Sequence, residues 1–368
     1  MYFSVAGGST ISMSKSVGSA VSEFTTLFGM MKPDIVCLVG DRFETLGVAT
    51  AAYMNNVPIA HLEGGELSGS IDEGVRHAIT KLSSLHFPCT EGAGKVIRQL
   101  GENPDNIHVV GSTSLDMLDD IAEATEIWDL QKKSGSGAII DPTGAFLLVC
   151  QHPVTNELQD TEKQVWETIW AVDAINMPTF WMNANLDAGS DIISSVLRQY
   201  RDQSDPKNIH FFKSLPIRYY GYLLKNTVCM VGNSSAGIRE CSYLGTPSVN
   251  IGTRQQYRER SGNTVDVAHN HKNIYHKVKN ILKFGTFSSA LYGDGKASEK
   301  IVSIIKQSVL NSQKVFYEII GDCACKGGEQ GSCKQECSDV IQETTLPMGV
   351  ENGGKFGGIR QDYNFNRY

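Results

Sequence analysis

The stretch "PDIVCLVGDRFETLGVATAAYMNNVPIAHLEGGE", Pro33 to Glu66, decides the fold class. It opens on a continuous, largely β-branched apolar run that ends at Gly40. A helical segment, "ETLGVATAAYMNN", follows, and the chain then returns to a second short strand, "VPIAHLEGG". Two buried strands joined by a helix form a parallel β-α-β unit. The alternation continues downstream, with "GVRHAITKLSSL" in helical period, "HFPCT" as a short strand, "GAGKVIRQLGE" as a helix and "NIHVVG" as a strand. This pattern predicts a parallel sheet covered by helices on both faces.

A second series begins beyond "KKSGSGAIIDPTG", whose Lys, Gly, Ser and Pro content fits a loop or linker. Strands are read at "AFLLVCQHP", "PTFWMNANLD", "NIHFFKSL", "TVCMVGN" and "TPSVNIG", and helices at "ELQDTEKQVWETIWAVDAI" and "AGIRECSYLG". The expected fold is α/β, with two Rossmann-like, doubly wound domains over residues 1–135 and 136–310. A Cys- and Gly-rich, mostly irregular tail is expected over 311–368. The ligand of such a fold lies in the cleft where the strand carboxyl ends of both domains meet.

Composition narrows the function. In 368 residues, 41 % are apolar and 20 % charged, which is enough apolar material for two cores and excludes a wholly disordered chain. The net charge of -7, without a basic stripe, excludes a nucleic-acid backbone as the main partner. No apolar run is long enough to span a bilayer, and the first residues lack a signal peptide's charged start and apolar core, so no membrane is expected and a cytoplasmic location is.

Of the nine cysteines, Cys37, Cys89, Cys150, Cys229 and Cys241 are scattered, three of them inside strand-like runs, and read as reduced buried thiols. Cys323, Cys325, Cys333 and Cys337 cluster as C-x-C and C-x-x-x-C. Four thiolates suffice for a tetrahedral zinc, but these are not the usual spacings, and a flexible tail with free thiols and no metal is expected.

Polar clusters follow the strands directly: "GDRFE" with Asp41 and Arg42, "HLEGGE" with Glu63 and Glu66, "QHPVT" with His152, "NLDAGS" with Asn185, Asp187 and Ser190, and "GNSSAG" with Asn233, Ser234 and Ser235. Five polar strand ends in one chain indicate a convergent site. In "GNSSAGIRE", the small residues at a strand-to-helix turn leave backbone N–H groups free for a phosphate, and Glu240 is placed to accept from a ribose diol; an N-capped packing helix is the plain alternative. Asp41, Glu63 and Asp72 are carboxylates at strand ends or a helix start, where neighbouring carboxylates are expected to raise the pKa so that each can hold or take a proton near neutral pH. Glu73 is read as the acid that complements the helix dipole. His152 is read as a donor to a phosphate or hydroxyl and His77 as structural. Arg254, Arg258 and Arg260 in "GTRQQYRER" close an anion pocket from its rim or form a solvated loop.

Taken together, "GDRFE", "HLEGGELSGSIDEGVRHAITKLS", "GSTSLDML", "QHPVT", "NLDAGS", "GNSSAGIRE", "GTPSVNIGTRQ" and "YGDG" resemble the hydrolysing UDP-N-acetylglucosamine 2-epimerases of sialic acid and related nonulosonate pathways, in order from about Ser16 to about Ile305. The resemblance implies a GT-B-like fold with UDP held mainly by the second domain and no cofactor. It implies elimination of UDP across C1 and C2 to a glycal, then hydration to N-acetylmannosamine, with the same chemistry on a UDP-2,4-diacetamido sugar as the alternative. By the matching motifs, Asp41, Glu63, Asp72 and His152 take the catalytic places. Arg42, Glu66, Asn185, Asp187, Ser190, Asn233, Ser234, Ser235, Arg239, Glu240 and Arg254 take those around substrate and UDP. Homo-oligomers are common in the family.

The non-hydrolysing relatives carry a threonine after the Gly-Asp pair and an E-A-G turn, whereas this chain reads "GDRFE" and "EGG". Three departures stand out. The family's first strand with its arginine turn has no counterpart, so an incomplete N-terminal domain is expected; Tyr257 stands where a glycine is usual; and the tail is unmatched. The rival expectations are a catalytically silent UDP-sugar-binding or interaction protein and a glycosyltransferase of the same fold.

Overall fold

Leu147–Cys150, the central apolar run of the second half, shows why the chain folds as it does. Leu147 and Val149 point into one core, with Trp181 and Val231, while Leu148 and Cys150 point into another, with Phe180 and Phe212. A strand buried on both faces needs helices on both sides, which is the doubly wound arrangement. The computed structural model of the chain describes residues 3–317 apart from residues 6, 186, 284 and 286. The four tail cysteines, and most of the segment expected to be irregular, lie outside the described residues.

The first half runs α1 (Thr10–Met31), β1 (Val36–Val39), α2 (Phe43–Met54), β2 (Ile59–Leu62), α3 (Asp72–Leu82), β3 (Leu85–Phe87), α4 (Glu91–Gln99), α5 (Thr113–Asp116) and α6 (Ala124–Lys133). Strands β1, β2 and β3 form a parallel sheet in that order. Helix α1 starts at a capping box between Ser9 and Ser12. It packs on α2 where a Cβ on Gly47 would stand 2.7 Å from Ala20 Cβ, so glycine sets how closely the two helices approach.

The second half runs β4 (Ser136–Gly137), β5 (Leu147–Cys150), α7 (Thr161–Ile175), β6 (Thr179–Met182), α8 (Ser190–Ser204), β7 (Ile209–Phe212), α9 (Ile217–Asn226), β8 (Cys229–Gly232), α10 (Glu240–Leu244), β9 (Ser248–Ile251), β10 (Thr264–Val267), α11 (His271–Ile281) and α12 (Ala297–Gln307). Its sheet has the order β10-β9-β8-β5-β6-β7-β4, parallel except for β4 against β7. Helix α12 crosses back, setting Ala297 and Ile301 against Leu62, Leu85 and Phe87 of the first sheet. The Asp116 carboxylate accepts the N–H groups of Ala297 (3.0 Å) and Ser298 (2.6 Å), fixing the start of α12.

The structure departs from the sequence expectations in several places. "NIHVVG" is not a strand: Ile107 makes a single bridge to His86, and His108 and Val110 donate to the carbonyls of His86 and Pro88. Pro88 has no N–H to return, so the ladder stops there. "AGIRECSYLG" is not one helix but a single 3-10 turn, Ser235–Gly237, followed by the short α10. The Thr264 hydroxyl donates to the Gly237 carbonyl (3.1 Å), taking the acceptor a continuous helix would use. Cys37 is exposed on β1, whereas Cys89, Cys150, Cys229 and Cys241 are buried free thiols. No helix among the described residues is long and apolar enough to cross a membrane.

Candidate active site

The second sheet reverses its winding between β5 and β8, so the loops after these strands lie side by side at their carboxyl ends. Open α/β sheets hold ligands at this point. Asn233, fully buried after β8, clamps the loop after β5: its Oδ1 accepts the backbone N–H of His152 (2.6 Å) and its Nδ2 donates to the His152 carbonyl (2.8 Å). The Asn185 backbone N–H donates to His152 Nδ1 at 3.0 Å. A ring nitrogen that accepts is unprotonated, so the neutral imidazole carries its hydrogen on Nε2. Burial, and then the charges of Arg254 and Arg42, hold His152 well below the usual imidazole range.

His152 lines a cavity of about 790 Å³. Asn185, Ser190, Ser234 and Tyr220 bound it from the second sheet's side, and Val5 and Phe43 from the first half. Its volume suits a small organic ligand.

The acids come from the first sheet. Gly40, at φ +72°, turns the chain after β1 and leads into Asp41. Its carbonyl is held by His61 Nε2 (2.9 Å), whose Nδ1 faces the Thr80 hydroxyl (3.2 Å). Burial pushes His61 down to about 4, so it works as a neutral strut. Glu63 itself is left-handed (φ +63°), and Gly65 follows at φ +78°. A Cβ on Gly65 would stand 2.2 Å from the Ala93 carbonyl oxygen, and one on Gly69 would stand 2.0 Å from that of Thr253. The glycines therefore let an acid-rich turn sit against backbone on both sides, and Gly69 N–H donates to the Arg254 carbonyl (3.1 Å) across the cleft.

Arginines of the second half meet these acids. Arg239, at the start of α10, pairs with Glu63 and with Glu66 (2.6 Å). Arg258 pairs with Glu66 and lies 3.8 Å from Asp41, which Arg76 of α3 also holds. Three acids, Asp41, Glu63 and Glu66, thus face three arginines in a buried, charge-compensated cluster. A looser set lies beside it, with Arg254 3.8 Å from Asp72 and 3.9 Å from Asp187, and Arg42 3.9 Å from Asp187. Arg254 can turn to an incoming anion at little cost and Arg42 by leaving its two-bond pair with Glu44 (3.0 Å), whereas the tight cluster cannot.

These surroundings separate the carboxyls and correct the expectation that all three are raised, because arginines from the other half of the chain and from α3 outweigh the neighbouring acids at two of them. Burial works against ionisation of Asp41, but Arg76 and Arg258 outweigh it and bring the group to about 2. Burial is likewise outweighed at Glu63 by Arg239 and the Ser112 hydroxyl, which donates to Oε1 at 2.7 Å, so this carboxyl is lowered. Asp72 goes the other way: burial and then the Asp41 charge raise it, against Arg254 and the Ser70 hydroxyl (2.8 Å).

The structure brings most of the expected residues together. His152, Asn185, Ser190 and Ser234 line the cavity, and Asp41, Arg42, Glu63, Glu66, Asp72, Asp187 and Arg254 gather beside it. Asn233 is turned inward as a clamp, and Arg239 faces the acids and not the cavity. Glu240 is half-buried beside Arg239 and Ser114, and desolvation raises it; neither it nor Ser235 lines the cavity. The Ser234 side chain caps the 3-10 turn by accepting the Ala236 N–H (3.3 Å). Arg76, completely buried, had no signal beyond standing one helical turn after Asp72, and Arg258, 9 % exposed, was indistinguishable from a loop arginine. Cys150, read from the sequence only as a buried thiol, also lines the cavity, as do Phe43 and Tyr220, which carry no charge to mark them.

Two Rossmann-like sheets facing across a charged cleft define a GT-B-like α/β protein. The chain belongs to the UDP-N-acetylglucosamine 2-epimerase family, whose model matches residues 3–306. It is 36 % identical over 303 residues to the hydrolysing UDP-N,N'-diacetylbacillosamine 2-epimerase of Legionella pneumophila, covering 82 % of this chain and 78 % of that one. It is 32 % identical over 278 residues to the UDP-N-acetylglucosamine 2-epimerase of Neisseria meningitidis serogroup B, covering 74 % and 70 %. Among solved structures, a Neisseria meningitidis UDP-GlcNAc 2-epimerase bound to UDP-GlcNAc superposes with a TM-score of 0.68 at 18 % identity, covering 83 % of this chain and 84 % of that one; this likeness concerns the fold.

Proposed function

We propose that the chain is a hydrolysing 2-epimerase that converts a UDP-linked 2-acetamido sugar into UDP and the free sugar inverted at C2. The observation that carries this reading is the opposite tuning of two carboxyls in one cleft, Glu63 lowered and Asp72 raised. Groups whose environments push their proton affinities apart divide into a base and an acid. In the first step the Glu63 carboxylate removes the proton on C2 while the C1–O bond to UDP breaks, leaving a C1–C2 double bond. In the second, Asp72 delivers a proton to C2 on the other face while water adds its hydroxyl to C1 and gives its remaining proton to Asp72, so that overall one water is consumed. The proton taken by Glu63 returns to solvent.

The departing diphosphate needs cationic and hydrogen-bond donors aimed at it. Arg42, Arg254 and the Nε2–H of His152 supply them, with Asn185, Ser190 and Ser234 as polar lining of the nucleotide cavity. UDP-N-acetylglucosamine, yielding N-acetylmannosamine, is the substrate supported by the family description. The name of the Legionella relative supports UDP-N,N'-diacetylbacillosamine as the second candidate.

The test is UDP release from each sugar nucleotide by the purified chain, with the sugar identified by NMR. Free 2-epimer with water as the sole acceptor is expected, and it separates this reading from a glycosyltransferase. Tight UDP binding without release from either compound would overturn it in favour of a silent binding protein.

A further inference from the structure

Glu63 and Glu66 stand three residues apart on one turn, 6 % and 5 % exposed, and share the guanidinium of Arg239 from the other half of the chain. Two carboxylates buried so close would share a proton if nothing compensated them. Ser112 contributes a hydrogen bond to Glu63 but no charge. Arg258, engaged directly with Glu66 and Asp41, adds a weaker attraction from a distance, and the other ionisable neighbours of Glu63, Cys89 and Glu240, carry no positive charge, so Arg239 is the one cation in direct contact with it. Arg239 is itself buried, is turned away from the cavity, and reaches Glu63 only while the two sheets face one another.

We propose that Arg239 is a positioning residue that fixes Glu63 in its ionised form from across the cleft, so that apposition of the two sheets is what makes the base ready. This rests on the role proposed above for Glu63, and it assigns Arg239 to the acids and not to the nucleotide.

Two readouts test it. In an infrared pH titration, Arg239→Met should show a protonated-carboxyl band additional to that of Asp72, persisting to higher pH than any Glu63 band of the native chain and absent from Arg239→Met combined with Glu63→Gln. In kinetics, the acid limb of kcat/KM should rise by about one to three pH units. At neutral pH, kcat should fall only a few-fold, and more steeply as the pH is lowered, with UDP affinity within a few-fold of native. Arg239→Lys, which keeps a cation but reaches one carboxylate at a time, should recover part of the shift in the acid limb, and it carries both readouts should Arg239→Met fail to bind UDP. A uniform loss of rate with an unmoved acid limb, or the absence of a new band, would overturn the proposal and leave Arg239 a strut between the sheets. If the native chain turns over neither sugar nucleotide, the proposed function fails while the infrared titration still decides the ionisation of Glu63.

Discussion

His152 accepts the backbone N–H of Asn185 through Nδ1 at 3.0 Å, and this one bond dictates which edge of the imidazole a ligand meets. With the ring held neutral by burial and by Arg254 and Arg42, Nε2 carries the hydrogen throughout the physiological range and faces Cys150 Sγ (3.5 Å), a weak acceptor that a ligand oxygen can replace. His152→Phe should therefore weaken UDP binding by roughly tenfold, the value of one buried hydrogen bond. The His152 ring resonances should not titrate between about pH 5 and 8, where an ordinary histidine would. Calorimetry and NMR check the two parts separately.

Glu63→Gln removes the charge while keeping the shape. Turnover should fall by at least a hundredfold, as expected for loss of a general base. UDP affinity should stay within a few-fold, because Glu63 contacts Ser112 and Arg239 and does not line the cavity. A normal rate in this variant would remove Glu63 from the mechanism.

Gly69→Ala probes the cleft from its backbone. The added methyl would lie 2.0 Å from the Thr253 carbonyl oxygen, so the loop carrying Arg254 must retreat. Displacement of about 1 Å at a reacting centre can cost a hundredfold, so kcat/KM should drop by one to two orders of magnitude. The thermal midpoint should change little, since the clash lies between loops and not within either core. A large loss of stability with unaltered kcat/KM in the surviving fold would contradict this picture.

His61 predicts acid lability. Its folded value of about 4 lies below the ordinary 6.5, so the unfolded chain binds more protons between these limits. Stability conferred by the neutral ring is present above about pH 6.5 and is lost as pH falls toward about 4. The loss is on the order of 3 kcal/mol. Urea unfolding at a series of pH values, compared with His61→Gln, should show the native slope and a flatter one in the variant.

Much of the fold was legible because a parallel strand buried on both faces writes itself as an unbroken apolar run, as at Leu147–Cys150. The polar residue after each run then marks a sheet's carboxyl edge, as His152, Asp41 and Glu63 do. What such a residue does there was not legible. Asn233 and Ser234 are adjacent small polar residues, yet one is an inward clamp and the other lines the cavity. Arg258 and Glu66 become partners only when chain positions nearly two hundred residues apart meet, and no local periodicity records that. The break in "AGIRECSYLG" was hidden for the same reason, since it depends on the Thr264 hydroxyl arriving from β10.

The balance of three acids against three arginines also constrains how this sequence can drift. Replacing Glu66 alone would leave two buried arginines with one fewer acid, Arg258 facing only Asp41 at 3.8 Å, and replacing Arg239 alone would leave Glu63 without its direct cation. Single steps away from the network therefore pass through a destabilised intermediate, while paired exchanges do not. Substitutions in descendants of this chain should appear at Glu66 and its two arginines together, linking in inheritance two stretches of sequence that share nothing locally.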